Sequence, residues 1–145
     1  MRLYLDTSAL VKRYVVEQGS SEAIELVQRA EMVGTSLVTR AEVASALAKA
    51  VRFGLREETG RTAHGTFLSH WPFFVRIPVT EALVSRADAL AWDYALRGYD
   101  AVQLASAISW QESLGTPVTL ATFDYELWAA GRKVGMQVWP AKLRG

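Results

Sequence analysis

RLYLDTSALVKRY, residues 2–14, is the stretch from which the fold can be read. Leu3 to Leu5 is an apolar run too short for a helix, so Arg2 to Leu5 reads as a buried strand. Asp6-Thr7-Ser8 follows at once, and these residue types start helices. Ser8 to Val16 then reads as a short helix. The same alternation continues outward along the chain. Ser20 to Glu31 is helical, with Ala23, Ile24, Val27 and Ala30 on one face. Met32 to Thr35 is a short strand. Thr39 to Phe53 is a helix with Val43, Ala46, Leu47 and Ala50 at helical spacing, and Gly54 is placed to end it. Arg56 to Trp71 reads as helical despite Gly60 and Gly65. A strand is expected at Phe74 to Val79, then helices at Thr80 to Leu96, ending at Gly98, and at Ala101 to Leu114, ending at Gly115. Val118 to Leu120 is a strand, Tyr125 to Ala130 a helix, and Gln137 to Trp139 a last strand. Strands separated by helices imply right-handed crossovers, an α/β fold and a mostly parallel sheet covered on both faces. Chemistry in such folds sits where strand carboxyl ends meet helix starts.

The 145 residues fit a single domain, 1–145, large enough to bury a core without metal or disulfide staples. Half are hydrophobic and 21% are charged, an ordinary globular composition. The absence of cysteine excludes a disulfide framework, a zinc-thiolate site and a thiol nucleophile. A net charge of +1 means that any nucleic acid is met at a local site, not by a basic surface. Asp6 and Lys12 interrupt the opening apolar residues, which predicts no signal peptide. No window approaches ~18 consecutive apolar residues, so no membrane span is expected. The expected location is the cytoplasm.

Of four acidic residues, three fall at the strand-to-helix or helix-start junctions the topology singles out. Asp6 ends the first strand. Glu42 lies in the first turn of the helix opening at Thr39. Asp100 immediately precedes the helix AVQLASAI, and Asp124 follows the strand VTLAT. Each has a structural reading on its own. Aspartate before a helix is a favoured N-cap, worth ~1 kcal/mol. Thr39 with Glu42 fits a capping box, and Asp100 with Gln103 a related one. Together they read differently. Carboxylates ~5 Å apart repel by roughly 3 kcal/mol per pair at an effective dielectric near 20. A divalent cation offsets that repulsion, and oxygen donors without His or Cys suit Mg²⁺ or Mn²⁺.

YLDTSALVKRY at the start, TRAEVASAL in the middle, LRGYDAVQLASAI later and TLATFDYELWAAGRKVGMQV near the end cover almost the whole chain. In order and spacing they resemble the PIN domain, and within it the VapC-type toxins of prokaryotic toxin–antitoxin pairs. The resemblance implies a three-layer α/β/α sandwich, homodimerisation, metal-dependent endoribonuclease activity leaving a 5′-phosphate, and inhibition by a small cognate antitoxin. Carried over by position, Asp6, Glu42 and Asp100 would be the central catalytic and metal-binding acids, with Asp124 as the fourth. Ser8 and Thr122 sit where hydroxyls support the site.

Other residues carry competing readings. Lys12 and Arg13 fit a solvated helix face, or a contact to RNA phosphate or to an antitoxin carboxylate. Arg97 and Tyr99 flank Asp100 and could meet RNA, although Tyr99 could simply pack. Asp93 reads as surface. His64 and His70 lie together, far from the acidic motifs, and suit surface or helix packing better than paired acid–base catalysis. Trp71, Trp92, Trp110, Trp128 and Trp139 are scattered through core or interface and form no base-stacking platform. An Asp-nucleophile phosphatase would want a second aspartate at position 8, where this chain has Ser8. A PIN-like module that binds RNA or protein without cleaving stays open, as does a DNA-cutting relative.

Overall fold

β1 (Arg2–Leu5) takes the middle of the sheet because it is apolar on both faces: Leu3, Tyr4 and Leu5 are all fully buried. The computed structural model describes residues 1–145. β2 (Met32–Ser36) and β4 (Val118–Ala121) flank β1, while β3 (Val75–Ile77) and β5 (Gln137–Trp139) form the edges. The five strands run in the order β3-β2-β1-β4-β5, and every neighbouring pair is parallel. The sheet is thus wholly parallel, where a mostly parallel one was expected.

Seven α-helices connect the strands: α1 (Thr7–Val11), α2 (Ser20–Gln28), α3 (Thr39–Arg52), α4 (Glu57–His70), α5 (Glu81–Tyr94), α6 (Gly98–Leu114) and α7 (Tyr125–Lys133). Alternation along β1 divides the core. Leu3 and Leu5 face one apolar cluster with Leu10, Leu26, Val43, Leu47 and Phe67, contributed by α1 to α4. Tyr4 faces the other, with Leu83, Ala87, Leu104, Trp110 and Leu127 from α5 to α7. The result is the expected α/β/α sandwich. α6 lies deepest, with Ala101, Leu104, Ala105 and Ala107 all buried. Its small residues let the helix sit close to the sheet. Gly34 in β2 completes this fit: a Cβ there would stand 2.8 Å from the Trp110 ring.

Several boundaries differ from the sequence reading. α1 stops at Val11 instead of Val16; the chain turns beyond it, and the Lys12 side chain folds back to Glu17 (3.1 Å) and over the Phe123 ring (4.5 Å). Lys12 therefore does not lie on a solvated helix face. Pro72 lacks an N–H, and α4 gives way to a 3₁₀ turn over Trp71–Phe73. Pro78 follows β3 directly and that strand is short. α6 begins at Gly98, so Asp100 lies inside its first turn and not before it. α7 runs on to Lys133.

The close fit at Gly34 gives a direct test. Gly34→Ala should lower the stability by about 1–3 kcal/mol, because neither β2 nor the buried indole can retreat without disturbing α6. A urea-denaturation midpoint equal to wild type would mean that the Trp110 contact is not tight.

Candidate active site

Register builds this site. In the parallel pairing of β1 with β4, Leu5 stands beside Ala121. The next residues, Asp6 and Thr122, therefore leave the sheet side by side. The Asp6 N–H donates to Ala121 O (3.3 Å), and Thr122 Oγ1 donates to Asp6 Oδ2 (2.6 Å). Asp6 is also the N-cap of α1, where Oδ1 accepts the Ala9 N–H at 2.9 Å. Ser8 Oγ reaches the same carboxylate at 2.8 Å and accepts the Phe123 N–H at 2.9 Å. Both hydroxyls singled out in the sequence, Ser8 and Thr122, thus brace Asp6. They stand 3.3 Å apart.

Asp6 is only 3% exposed. Burial pushes its carboxyl from the ordinary 3.8 up to about 7, even though Thr122, Ala9 and Ser8 all donate to it and pull it down; the negative charge of Asp100 adds to the rise. Asp100 is raised as well, first by burial and then by Asp124, with Arg97 opposing and Glu42 adding. Asp100 thus lies in the fields of Asp6, Asp124 and Glu42, and the four acids share one carboxyl edge of the sheet.

Asp124 caps α7, with Oδ1 accepting the Leu127 N–H at 3.0 Å. Its second oxygen accepts Arg97 Nη2 at 2.7 Å, while Arg97 Nε donates to Asp100 Oδ2 at 2.9 Å. The sequence leaves Arg97 open as an RNA contact. It instead bridges two of the four carboxylates and supplies a cation from the chain itself. No three of the carboxylates stand close enough to form a ready-made cation cage. The capping boxes do not form either. Val38, not Thr39, is the N-cap of α3, and it has no side-chain cap bond. Glu42 Oε1 accepts Thr7 Oγ1 at 2.8 Å and Gln103 Nε2 at 2.7 Å. Gln103 is likewise buried beside Glu42 and does not turn back to Asp100.

Glu42, Arg97, Tyr99 and Asp100 open onto a groove of about 820 Å³, with Val84, Ala87 and Ala91 of α5 on its apolar wall. Tyr99 is 63% exposed and does not pack. Glu42 Oε2 and Asp100 Oδ1 take no donor from the chain. Oxygen-only donors of this kind fit a hard divalent cation. His70 is engaged elsewhere, 2.8 Å from the Tyr14 hydroxyl. Asp93 and Trp92 lie on the surface, whereas Trp71, Trp110 and Trp128 are in the core.

A PIN-domain family model matches residues 3–133. The chain is 34% identical over 143 residues to ribonuclease VapC49 of Mycobacterium tuberculosis, covering 97% of this chain and 96% of the relative. Among solved structures it resembles VapC20 of Mycobacterium tuberculosis, described as a sarcin-ricin-loop-cleaving toxin, with a TM-score of 0.63 and 22% identity over 89% of this chain and 95% of that one. A toxin–antitoxin complex from Klebsiella pneumoniae matches with a TM-score of 0.57 and 23% identity, covering 89% and 91% of the two chains. At these identities the two structures bear on the fold alone.

The raised Asp6 carboxyl sets a pH dependence. Between its ordinary 3.8 and about 7, the folded chain holds a proton that the unfolded chain has released. The associated stability is fully present below about pH 4 and is lost as pH rises through about 7; Asp100 acts in the same direction. Urea-denaturation midpoints without divalent cations should therefore fall from pH 4 to 8. Asp6→Asn should flatten that slope.

Proposed function

This chain belongs to the PIN-domain family, and on that premise we propose that it is the endoribonuclease toxin of a type II toxin–antitoxin system, hydrolysing RNA phosphodiester bonds with Mg²⁺ or Mn²⁺. The observation that carries this reading is the Asp6 carboxylate: buried, held by Ser8, Ala9 and Thr122, and within the field of Asp100. Desolvating a carboxylate and placing other carboxylates around it destabilises the free chain. Such an arrangement suits a site whose task is to hold positive charge. Asp6, Glu42, Asp100 and Asp124 would hold the ion. When bound, it lowers the pKa of a water and offsets charge on the phosphate oxygens.

The chain's own residues supply the geometry. Three donors fix the angle of the Asp6 carboxylate, so this one acid needs little reordering for binding. Thr122 Oγ1 also accepts the Asp124 N–H at 3.0 Å, which ties the Asp6 and Asp124 loops together. The first turn of α6 leaves backbone N–H groups unpaired beside Asp100 and places partial positive charge toward a phosphate. The exposed Arg97 guanidinium can move from the carboxylates onto the substrate phosphate without crossing the core. Single-domain chains of this kind would pair as homodimers in the cytoplasm and be silenced by a small cognate antitoxin. The family membership supports that assignment.

Purified protein incubated with tRNA and rRNA should yield 5′-phosphate products with Mn²⁺ and none with EDTA. Asp6→Asn should cut at least on the order of 100-fold more slowly while keeping a folded circular-dichroism spectrum. Normal cleavage by Asp6→Asn would refute the mechanism. RNA retained equally with and without EDTA, with no product, would favour a binding module instead.

A further inference from the structure

Gln103 is only 2% exposed, yet its side chain ends on the rim of the candidate active site. Its Nε2 donates to Glu42 Oε1 at 2.7 Å and to Thr39 Oγ1 at 3.0 Å, with Thr7 Oγ1 at 3.4 Å. Its Oε1 accepts the hydroxyl of Tyr4, a residue buried completely in the central strand. Chemistry fixes the direction of this chain of bonds. A carboxylate can only accept, so the amide nitrogen must face Glu42. The amide oxygen then faces Tyr4, and the phenol must donate.

We propose that Gln103 is the positioning residue for Glu42, transmitting the fixed place of the Tyr4 hydroxyl in the core to the carboxylate at the groove. This rests on the cation-binding role proposed for Glu42. The geometry supplies two arguments. The Gln103 and Thr7 donors both land on Oε1, which pins one oxygen and leaves Oε2 without a partner from the chain. A glutamate on a helix has three rotatable side-chain bonds, and freezing them in advance removes an ordering cost from ligand binding. Thr39 secures the strut from the side, through its 2.8 Å contact with Thr35, which in turn reaches Leu5 O at 2.7 Å. The support thus ends on the backbone residue next to Asp6, and Asp6 and Glu42 are referenced to the same strand.

The test is Mn²⁺ affinity by isothermal titration calorimetry on the full chain, which needs no substrate. Gln103→Met keeps the length and removes the donors, and should weaken Mn²⁺ binding about 10- to 100-fold, as loss of a group orienting a ligand does. Glu42→Gln should weaken it as well, and adding Gln103→Met to Glu42→Gln should cost nothing further. That non-additivity separates positioning from general packing, which would weaken both backgrounds alike. Tyr4→Phe keeps the buried ring and should weaken binding several-fold, so the proposal stays testable if Gln103→Met does not fold. Wild-type affinity in Gln103→Met, or in Tyr4→Phe where the former is unfolded, with Glu42→Gln impaired would overturn the positioning role alone. Wild-type affinity in Glu42→Gln would overturn the cation role of Glu42 and the proposal with it.

Discussion

The pairing of β1 with β4 and β2 is the constraint on which everything else depends. β1 pairs with a strand on each edge, and Leu3, Tyr4 and Leu5 let helices cover it on both faces; Tyr4 is the one residue there with a side-chain hydroxyl, and that hydroxyl is matched by Gln103. Parallel pairing then sends every strand end to the same edge of the sheet. Asp6 leaves β1 there and Thr122 leaves β4, while α3 and α6 bring Glu42 and Asp100 to that edge from the two helical layers. A hairpin-built sheet would scatter these positions over both ends.

The candidate site is an electrostatic compromise. Burial works against the charge on Asp6 and donors work for it, and burial prevails. On the other side, Arg97 neutralises Asp100 and Asp124 at the surface, where solvent weakens the bond and makes it easy to exchange. The candidate site thus has a rigid, buried side, where Asp6 and Gln103 lie behind the groove, and a wet side governed by Arg97 on the groove wall. That division suits a site that must hold its acids still and yet admit a bulky polyanion.

Much of this was legible in the sequence. The alternation of short apolar runs with helical patterns gave the layers, and LDTSAL and TLATFD gave Asp6, Ser8, Thr122 and Asp124 their places at strand ends. Hydrophobic periodicity reports strand and helix faces directly, which is why these features were readable. The parts that were missed depend on side chains meeting across the fold. Gln103 looked like a capping partner of Asp100, because local spacing cannot reveal that α6 turns it toward Tyr4 and Glu42. For Arg97, the spacing of three from Asp100 carries the signal of an ion pair, but its second partner, Asp124, lies 27 positions away. Past the early end of α1, Lys12 lies over Phe123, also a contact that no local pattern predicts.

The position of β1 has one further effect. The first strand of the chain is finished only by a strand near its last quarter, and the bond from Thr122 to Asp6 spans 116 positions. Chains grow from the amino end. A ribosome-bound product that has emerged only as far as α5 has Asp6 and Glu42 but neither Thr122 nor the α6 that carries Asp100 and Gln103. The acidic edge is therefore assembled only once β4 and the start of α7 have been made, late in synthesis.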